Sequence, residues 1–223
     1  MTGRFSLRRE VALGLAVYGV YLAVRRIVLR AGGRARARTN AERIVALEKS
    51  LGLDVEPTLQ RAVLRFPRIV HGLNLGYGLF NVSLTVGWLV VLYRRRDPAY
   101  HRIRRACLLA HLGAQPAFLI FPTEPPRALD GFVDTLSEVS GLDLEHPLLV
   151  RFYNPVAAMP SLHVAFAVLT GSAIAERAGS LPGKAVSYGY PGVVTAVVAA
   201  TGNHYVLDAV AGAALGAAAR SLG

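Results

Sequence analysis

The chain has 223 residues, of which 53% are hydrophobic and 17% are charged, and its formal net charge is +11. This length allows one or two soluble domains or one compact membrane bundle, and the concentration of the charges beside long apolar runs favours the bundle. The positive charge forms no basic stripe with interleaved aromatic residues, which argues against a nucleic-acid partner, and the single Cys107 excludes an internal disulfide.

The first apolar run covers residues 11–29 and approaches the ~20 residues that a bilayer-spanning helix needs. No small-residue cleavage site follows it, so it is predicted to be a retained span rather than a signal peptide. The basic stretch after it is predicted to hold two amphipathic helices that lie in the membrane interface. The first runs from a capping box of Thr39 and Glu42 to a stop at Gly52, and Pro57 opens the second.

Five further apolar segments are predicted to be helical spans, at residues 69–93, 106–121, 156–175, 185–200 and 204–219. Some polar residues inside these spans are expected to form interhelical hydrogen bonds rather than a site: His71, Asn74, His111 and Gln115. The prediction is an all-α integral membrane bundle of about six transmembrane helices, folded as one membrane-embedded domain over residues 1–223. Residues 1–68 hold the first span and the interfacial helices, and residues 69–223 form the bundle that carries the site.

The start of one helix offers a place for an anion. A proline and a serine stand directly before an apolar run, and His163 falls in the first turn of that run. Ser161 is predicted to be the N-cap, because a serine side chain accepts hydrogen bonds from the N–H groups of the next turn. Those N–H groups and the helix dipole attract an anion such as phosphate. His163 is therefore predicted to lie at an anion-binding helix start.

A second histidine, His204, is predicted to open the last apolar helix, with Asp208 four residues later on the same helical face. A carboxylate one turn from an imidazole can accept from one ring nitrogen and leave the other free to attack or to shuttle a proton. Counting the spans places both His163 and His204, together with the loop at residues 122–156, on one face of the membrane.

The charges of the loops predict which face this is. The loop at residues 122–156 holds six acidic residues and two arginines, whereas the opposite face holds basic clusters such as residues 94–96. The positive-inside rule therefore places the histidines of this multi-pass protein on the non-cytoplasmic side of the cell membrane. The basic segment at residues 25–68 falls on the same outer side, and the rule does not explain it.

Three short stretches together resemble the motifs of the type-2 phosphatidic acid phosphatase superfamily. They are Pro-Pro-Arg at 125–127, Pro-Ser-Leu-His at 160–163 and His-Tyr-Val-Leu-Asp at 204–208. They are most similar to the inositolphosphotransferase branch with inositol phosphorylceramide synthase and sphingomyelin synthase, where the second motif reads Pro-Ser-Leu-His and the third reads His-Tyr-x-x-Asp. The resemblance covers roughly the last half of the chain.

The resemblance implies a metal-free phosphoryl transfer through a phosphohistidine, without a cofactor. In that reaction His204 would be the nucleophile, and Asp208 would orient it. His163 would protonate the leaving group and then help to activate the acceptor.

The resemblance also implies which residues hold the phosphate. Arg127 would bind its oxygens with a planar guanidinium, assisted by the N–H groups around Ser161 and Leu162. Three residues near the second motif could contact a headgroup or only shape the chain: Tyr153, Asn154 and Arg151.

The chain departs from the phosphatase pattern at three positions. Phosphatases of the superfamily usually have a lysine, a glycine and an arginine where this chain has Ile120, Leu162 and Val198. Without the two cations, a phosphodiester fits the site better than a monoester, which carries more charge. The predicted function is phosphotransfer or hydrolysis on a membrane phospholipid or lipid-linked phosphate ester, inositolphosphotransferase-like. The alternative is a simple lipid phosphate phosphatase that acts on phosphatidic acid or polyprenyl phosphate.

Two other classes of protein stay open. His163, His204 and Asp208 could ligate zinc in a metal-dependent membrane hydrolase, since His and Asp four residues apart is a usable ligand spacing, but no fourth ligand is evident. A transporter would be expected to show paired broken helices or internal repeats, and neither is visible in the sequence.

Overall fold

The computed structural model describes residues 5–144 and 146–223, with the side chains of Phe80 and Asn81 excepted. The all-α prediction is confirmed, because the described residues form helices and none of them forms a β-strand. An isolated bridge between Thr123 and Ala157 is the one β-type pairing recorded in the described ranges.

Ten α-helices follow one another in the described part of the chain: α1 (Leu7–Arg30), α2 (Gly33–Leu51), α3 (Glu56–Leu64), α4 (Pro67–Leu75), α5 (Asn81–Arg94), α6 (Tyr100–Ile120), α7 (Thr135–Glu138), α8 (Leu162–Ala175), α9 (Leu181–Ala200) and α10 (Val206–Leu222). A π-helical turn, Gly76–Phe80, joins α4 to α5, and short 3₁₀ turns lie at Pro126–Ala128 and Leu149–Arg151.

Helix α8 lies at the centre of the bundle and packs against α5, α6, α9 and α10. Its residues are apolar on nearly every side, as expected of a helix that other helices surround. Small residues let α10 approach it closely. Gly212 faces the backbone of Ser161 and Gly216 faces the backbone of Ala165, so a side chain at either glycine would collide with α8. This contact holds the start of α8 directly beside α10.

The apolar segment predicted at residues 69–93 is a broken helix rather than one straight span. Its two halves, Pro67–Leu79 and Val82–Arg94, are bent by 43° relative to each other. The π-helical turn supplies the bend, since an extra residue in a helical turn disrupts the regular hydrogen-bond ladder. The turn brings Tyr77 against α8 and α9, where it packs on a cluster that includes Val164 and Val194.

The first interfacial helix begins earlier than its capping-box pattern predicts. Helix α2 starts at Gly33, so Thr39 lies inside it, where its hydroxyl donates to the Ala35 carbonyl at 3.3 Å. The predicted cap is therefore wrong, because the chain enters α2 directly from a left-handed residue at Gly32. The other two signals are confirmed: Gly52 ends α2 in a left-handed conformation, and Pro57 stands in the first turn of α3.

The number of membrane spans stays a prediction. Among the described helices, α1 alone is long and apolar enough to cross a bilayer, and the bent α4–α5 pair passes the same test if it counts as one span. Helix α8 is apolar but has only 14 residues. It starts at Leu162 rather than at residue 156, because the preceding residues pair with the long loop: the Ala158 N–H donates to the Thr123 carbonyl.

The long loop at residues 122–156 is tied to the N-terminal helices. In α1, Arg25 donates to the Tyr153 carbonyl at 2.8 Å, and Tyr21 accepts the Asn154 N–H at 2.6 Å. In α3, Gln60 makes two hydrogen bonds with the Val133 backbone, at 2.9 and 3.0 Å. The described residues of the loop are thereby held by α1 and α3.

The prediction of interhelical hydrogen bonds is confirmed for Asn74, which bonds to α7, but not for His111 and Gln115. Asn74 donates to the Thr135 carbonyl at 2.7 Å and to the Ser140 hydroxyl at 2.8 Å, and His71 lies 3.2 Å from the same hydroxyl. Gln115 bonds back to the carbonyl of His111 within α6 at 2.8 Å, and the His111 ring packs against aromatic neighbours. The first pair connects α4 to the long loop, whereas the second stays within α6.

Candidate active site

The start of α8 has the predicted cap. Ser161 is the N-cap, and its side-chain oxygen accepts the Val164 N–H at 3.4 Å. Its own N–H donates to the Asp208 carbonyl at 3.0 Å. That N–H is therefore used in packing and is not offered to an anion. As the first residue of the helix, Leu162 has no acceptor inside the helix for its own N–H.

The start of α10 differs from the prediction by two residues. The helix begins at Val206 with Tyr205 as its N-cap, so His204 precedes the helix instead of opening it. Asp208 is the third helical residue, and its Oδ2 accepts the Tyr205 N–H at 3.0 Å. The same oxygen lies 3.4 Å from Nδ1 of His204, so the proposed partnership between the two residues arises from the cap rather than from a shared helical face.

The surroundings of His204 determine which ring nitrogen carries the proton. Nδ1 lies 2.9 Å from the Ala158 carbonyl oxygen, which can only accept a hydrogen bond. The proton is therefore on Nδ1, with Asp208 as a second acceptor, and Nε2 keeps its lone pair. This ring is buried, with 4% of the residue exposed.

The two histidines meet. Nε2 of His204 lies 3.4 Å from Nδ1 of His163, although the residues stand on different helix starts. Tyr77 stacks on the outer side of His163, with the ring centroids 4.4 Å apart at an interplanar angle of 28°. Sequence analysis missed Tyr77, because a tyrosine in an apolar run carries no local signal of a contact with a distant histidine.

A cavity of about 260 Å³ opens at the histidine pair. It brings together five of the predicted site residues: Leu162, His163, His204, Tyr153 and Asn154. Other lining residues that the sequence did not single out include Tyr21, Tyr77, Phe118, Pro125 and Asn203. The described lining contains no lysine or arginine, so the wall of this cavity is poor in cations.

Arg127 lies next to Tyr153 and outside the wall of the first cavity. Its backbone N–H donates to the Gly202 carbonyl at 2.8 Å, and its Nη2 donates to the Tyr153 hydroxyl at 2.7 Å. Its Nε lies 3.8 Å from Oδ1 of Asp134 and has no hydrogen-bond partner among the described residues. Arg127 lines a second, more polar cavity of about 570 Å³, which shares Pro125, Leu144 and Pro155 with the first.

The environment of Arg127 favours its charged form. Burial by itself would lower the pKa of the guanidinium, but the neighbouring Tyr153, Tyr77 and Asp134 raise the pKa on balance. A buried arginine that faces a tyrosine hydroxyl keeps a charge close to the histidine cavity. This arrangement can attract an anion.

Three predicted residues do not reach either cavity wall. Asp208 is fully buried and contacts His204. Arg151 is exposed on the 3₁₀ turn Leu149–Arg151 and is absent from both sets of lining residues. Ser161 is fully buried, and its hydroxyl is used in the cap. Within residues 5–144 and 146–223, no three His, Cys, Asp or Glu side chains form a group that could hold a metal ion.

A protein-family model described as the PAP2 superfamily matches residues 42–222, a range that contains every predicted site residue. No curated protein and no solved structure matches the chain.

Proposed function

The chain belongs to the PAP2 superfamily, and we propose on this premise that it is a membrane-embedded lipid phosphotransferase or phosphatase that reacts through a phosphohistidine. Membership supports phosphatase or phosphotransferase activity in general. One observation carries the mechanism: His204 donates its Nδ1 proton to the Ala158 carbonyl and Asp208, which leaves the lone pair of Nε2 at the cavity.

In the first step, Nε2 of His204 attacks phosphorus and the bond between phosphorus and the lipid oxygen breaks. His163 gives a proton to that oxygen, so the lipid leaves as a neutral alcohol. Asp208 stabilises the positive charge on the His204 ring. In the second step, water or another alcohol loses a proton to His163, attacks phosphorus and displaces His204, which restores both histidines.

The two rings must separate when substrate binds. A phosphorus atom at a near-attack distance of about 3–3.5 Å from Nε2 needs the space that the edge of the His163 ring occupies. His163 is held by the start of α8 and by the stacked Tyr77, which lies on the π-helical turn. Movement of this turn is the simplest way to make room.

The first cavity, at the histidine pair, supports a substrate with a low phosphate charge. The first cavity has no described lysine or arginine in its lining, and the charge of Arg127 reaches it only beside Tyr153. A phosphodiester carries one negative charge, so it needs fewer cations than a monoester does. This favours transfer of a headgroup phosphate, inositolphosphotransferase-like, over simple hydrolysis of phosphatidic acid or polyprenyl phosphate.

The activity can be tested with the purified protein and a panel of labelled phospholipids, with and without polyol or ceramide acceptors. We expect release of the lipid alcohol and transfer of the headgroup phosphate to an acceptor, with activity unchanged by a chelator. Hydrolysis of monoesters alone would favour the phosphatase. A loss of activity on chelation would favour a metal-dependent hydrolase, because the phosphohistidine route uses no metal.

We further propose that the protein crosses the cell membrane several times and that the site faces its non-cytoplasmic side. The acidic loop at residues 122–156 covers the site, whereas basic loops lie at the opposite helix ends. With six spans and an inner N-terminus, a reporter fused after Gly223 should be cytoplasmic. A reporter found outside would contradict the number of spans or the orientation.

A further inference from the structure

Two buried glutamates hold the first turn of α10, the helix that carries Asp208. Glu56, the first residue of α3, accepts the Val206 N–H at 2.6 Å. Glu48, near the end of α2, accepts the Leu207 N–H at 2.7 Å. Their residues are only 2% and 1% exposed, respectively. The N-terminal helices that flank the bundle therefore reach its reacting end through two carboxyl groups.

These contacts replace a local cap. The first N–H groups of a helix have no acceptor inside it, and an N-cap side chain usually supplies one. The N-cap here is Tyr205, whose N–H is taken by Asp208. Because Glu48 and Glu56 take the next two N–H groups, Asp208 need not turn toward them. Its Oδ2 can stay at 3.4 Å from His204.

The two carboxyl groups accept from the N–H groups of consecutive residues, Val206 and Leu207, so they lie side by side. A proton on one of them relieves the repulsion between two adjacent buried carboxylates. Burial raises the pKa of both groups, and the nearby charge of Asp208 raises each further. Tyr205, which has Glu124 near it, is another ionisable group beside the pair. Two adjacent buried carboxylates do not both ionise at neutral pH, so the pair carries one proton and one negative charge.

We infer that Glu48 and Glu56 act as one proton-sharing monoanion that positions His204 and Asp208 for reaction, and are thus positioning residues. This inference rests on the proposed function. The single charge complements the positive end of α10 through charge-assisted hydrogen bonds. It also gives a role to the basic segment at residues 25–68, whose predicted side of the membrane the positive-inside rule does not explain.

Glutamine variants test the shared proton. In Glu48→Gln or Glu56→Gln, the amide accepts the helix N–H and donates to the remaining carboxylate, so each single variant should keep kcat within about threefold. The double variant Glu48→Gln/Glu56→Gln has no negative charge at these two positions, so Asp208 becomes the only carboxylate at the helix start. We expect its kcat to fall on the order of 10-fold to 100-fold with KM little changed. The matched control is Glu42→Gln, on the exposed side of α2, which should resemble the parent.

The pH profile separates positioning from a merely structural role. The raised pKa of the pair means that its shared proton is present at low and neutral pH and is lost as pH rises. In the parent, loss of that proton places two charges together, and kcat should fall on the alkaline side. The single glutamine variants cannot form this dianion, so their plateau should extend to higher pH.

Hydrogen exchange tests the contacts of Glu48 and Glu56 with α10 independently of activity. Glu48→Ala and Glu56→Ala should speed hydrogen exchange in a peptide that covers residues 205–209, while Glu42→Ala should not. Four results would each overturn the inference. They are unchanged hydrogen exchange in Glu48→Ala and Glu56→Ala, and identical pH profiles for the parent and the single glutamine variants. The other two are a double glutamine variant as active as the parent, and single glutamine variants as impaired as the double. A parent without activity on any lipid phosphate would instead contradict the proposed function, while the exchange result would still decide the contacts.

Discussion

His204→Ala should lose turnover by at least about 10⁴-fold, the scale seen when an enzyme loses its nucleophile. The lone pair of Nε2 faces the cavity, and the described residues offer no other side chain with the same support from a carbonyl and a carboxylate. The loss should persist on a donor with a good leaving group, such as a nitrophenyl ester, because the variant lacks the nucleophile that attacks phosphorus. Steady-state rates on natural and activated donors measure it.

His163→Ala should behave differently on the two donors. Protonation of the leaving oxygen matters little when that oxygen belongs to a nitrophenol, so this variant should keep substantial activity there and lose most of it on a lipid alcohol. Asp208→Asn should lie between the two histidine variants, since the Ala158 carbonyl still holds the His204 ring.

Trapping of the intermediate provides the second measurement. Acid-labile, base-stable label should appear on the parent protein and accumulate on His163→Ala if breakdown of the intermediate is slowed. It should be missing from His204→Ala. Equal losses in both histidine variants on the activated donor, with no label in either, would contradict this division of roles.

Arg127→Lys is expected to cost on the order of 10²-fold in kcat, comparable to the removal of one oxyanion donor. The guanidinium donates to the Tyr153 hydroxyl through Nη2 and lies 3.8 Å from Asp134 through Nε. A lysine keeps the charge but offers a single point in place of this planar fork, so it cannot bind the protein and two phosphate oxygens at once. Rates with a phospholipid donor measure the loss.

The matched control is Arg151→Lys, in the same loop. Arg151 is exposed and lies outside both cavity walls, so this change should leave activity within about threefold of the parent. A silent Arg127→Lys together with an impaired Arg151→Lys would move the phosphate contact to Arg151.

Local sequence signals predicted several features of the helix starts. The position of Ser161 before an apolar run predicted the cap of α8 and the place of His163 in its first turn. The spacing of His204 and Asp208 predicted their contact, although the helix starts two residues later than expected. These predictions succeed because a cap and its neighbours lie within one turn of chain, so residue type and spacing largely determine them.

Only the tertiary structure brought the remaining parts together. The bonds from Glu56 and Glu48 to α10 join residues that are 150 and 159 positions apart, and no local pattern encodes such a pair. Tyr77 meets His163 only because a π-helical turn bends its helix. The capping-box pattern at Thr39 failed for the same reason: the turn at Gly32 and the packing of α2 against α10 outweigh a weak local preference. Sequence therefore determined the candidate reacting groups at each helix start, whereas burial and long-range hydrogen bonds decided how these groups are held.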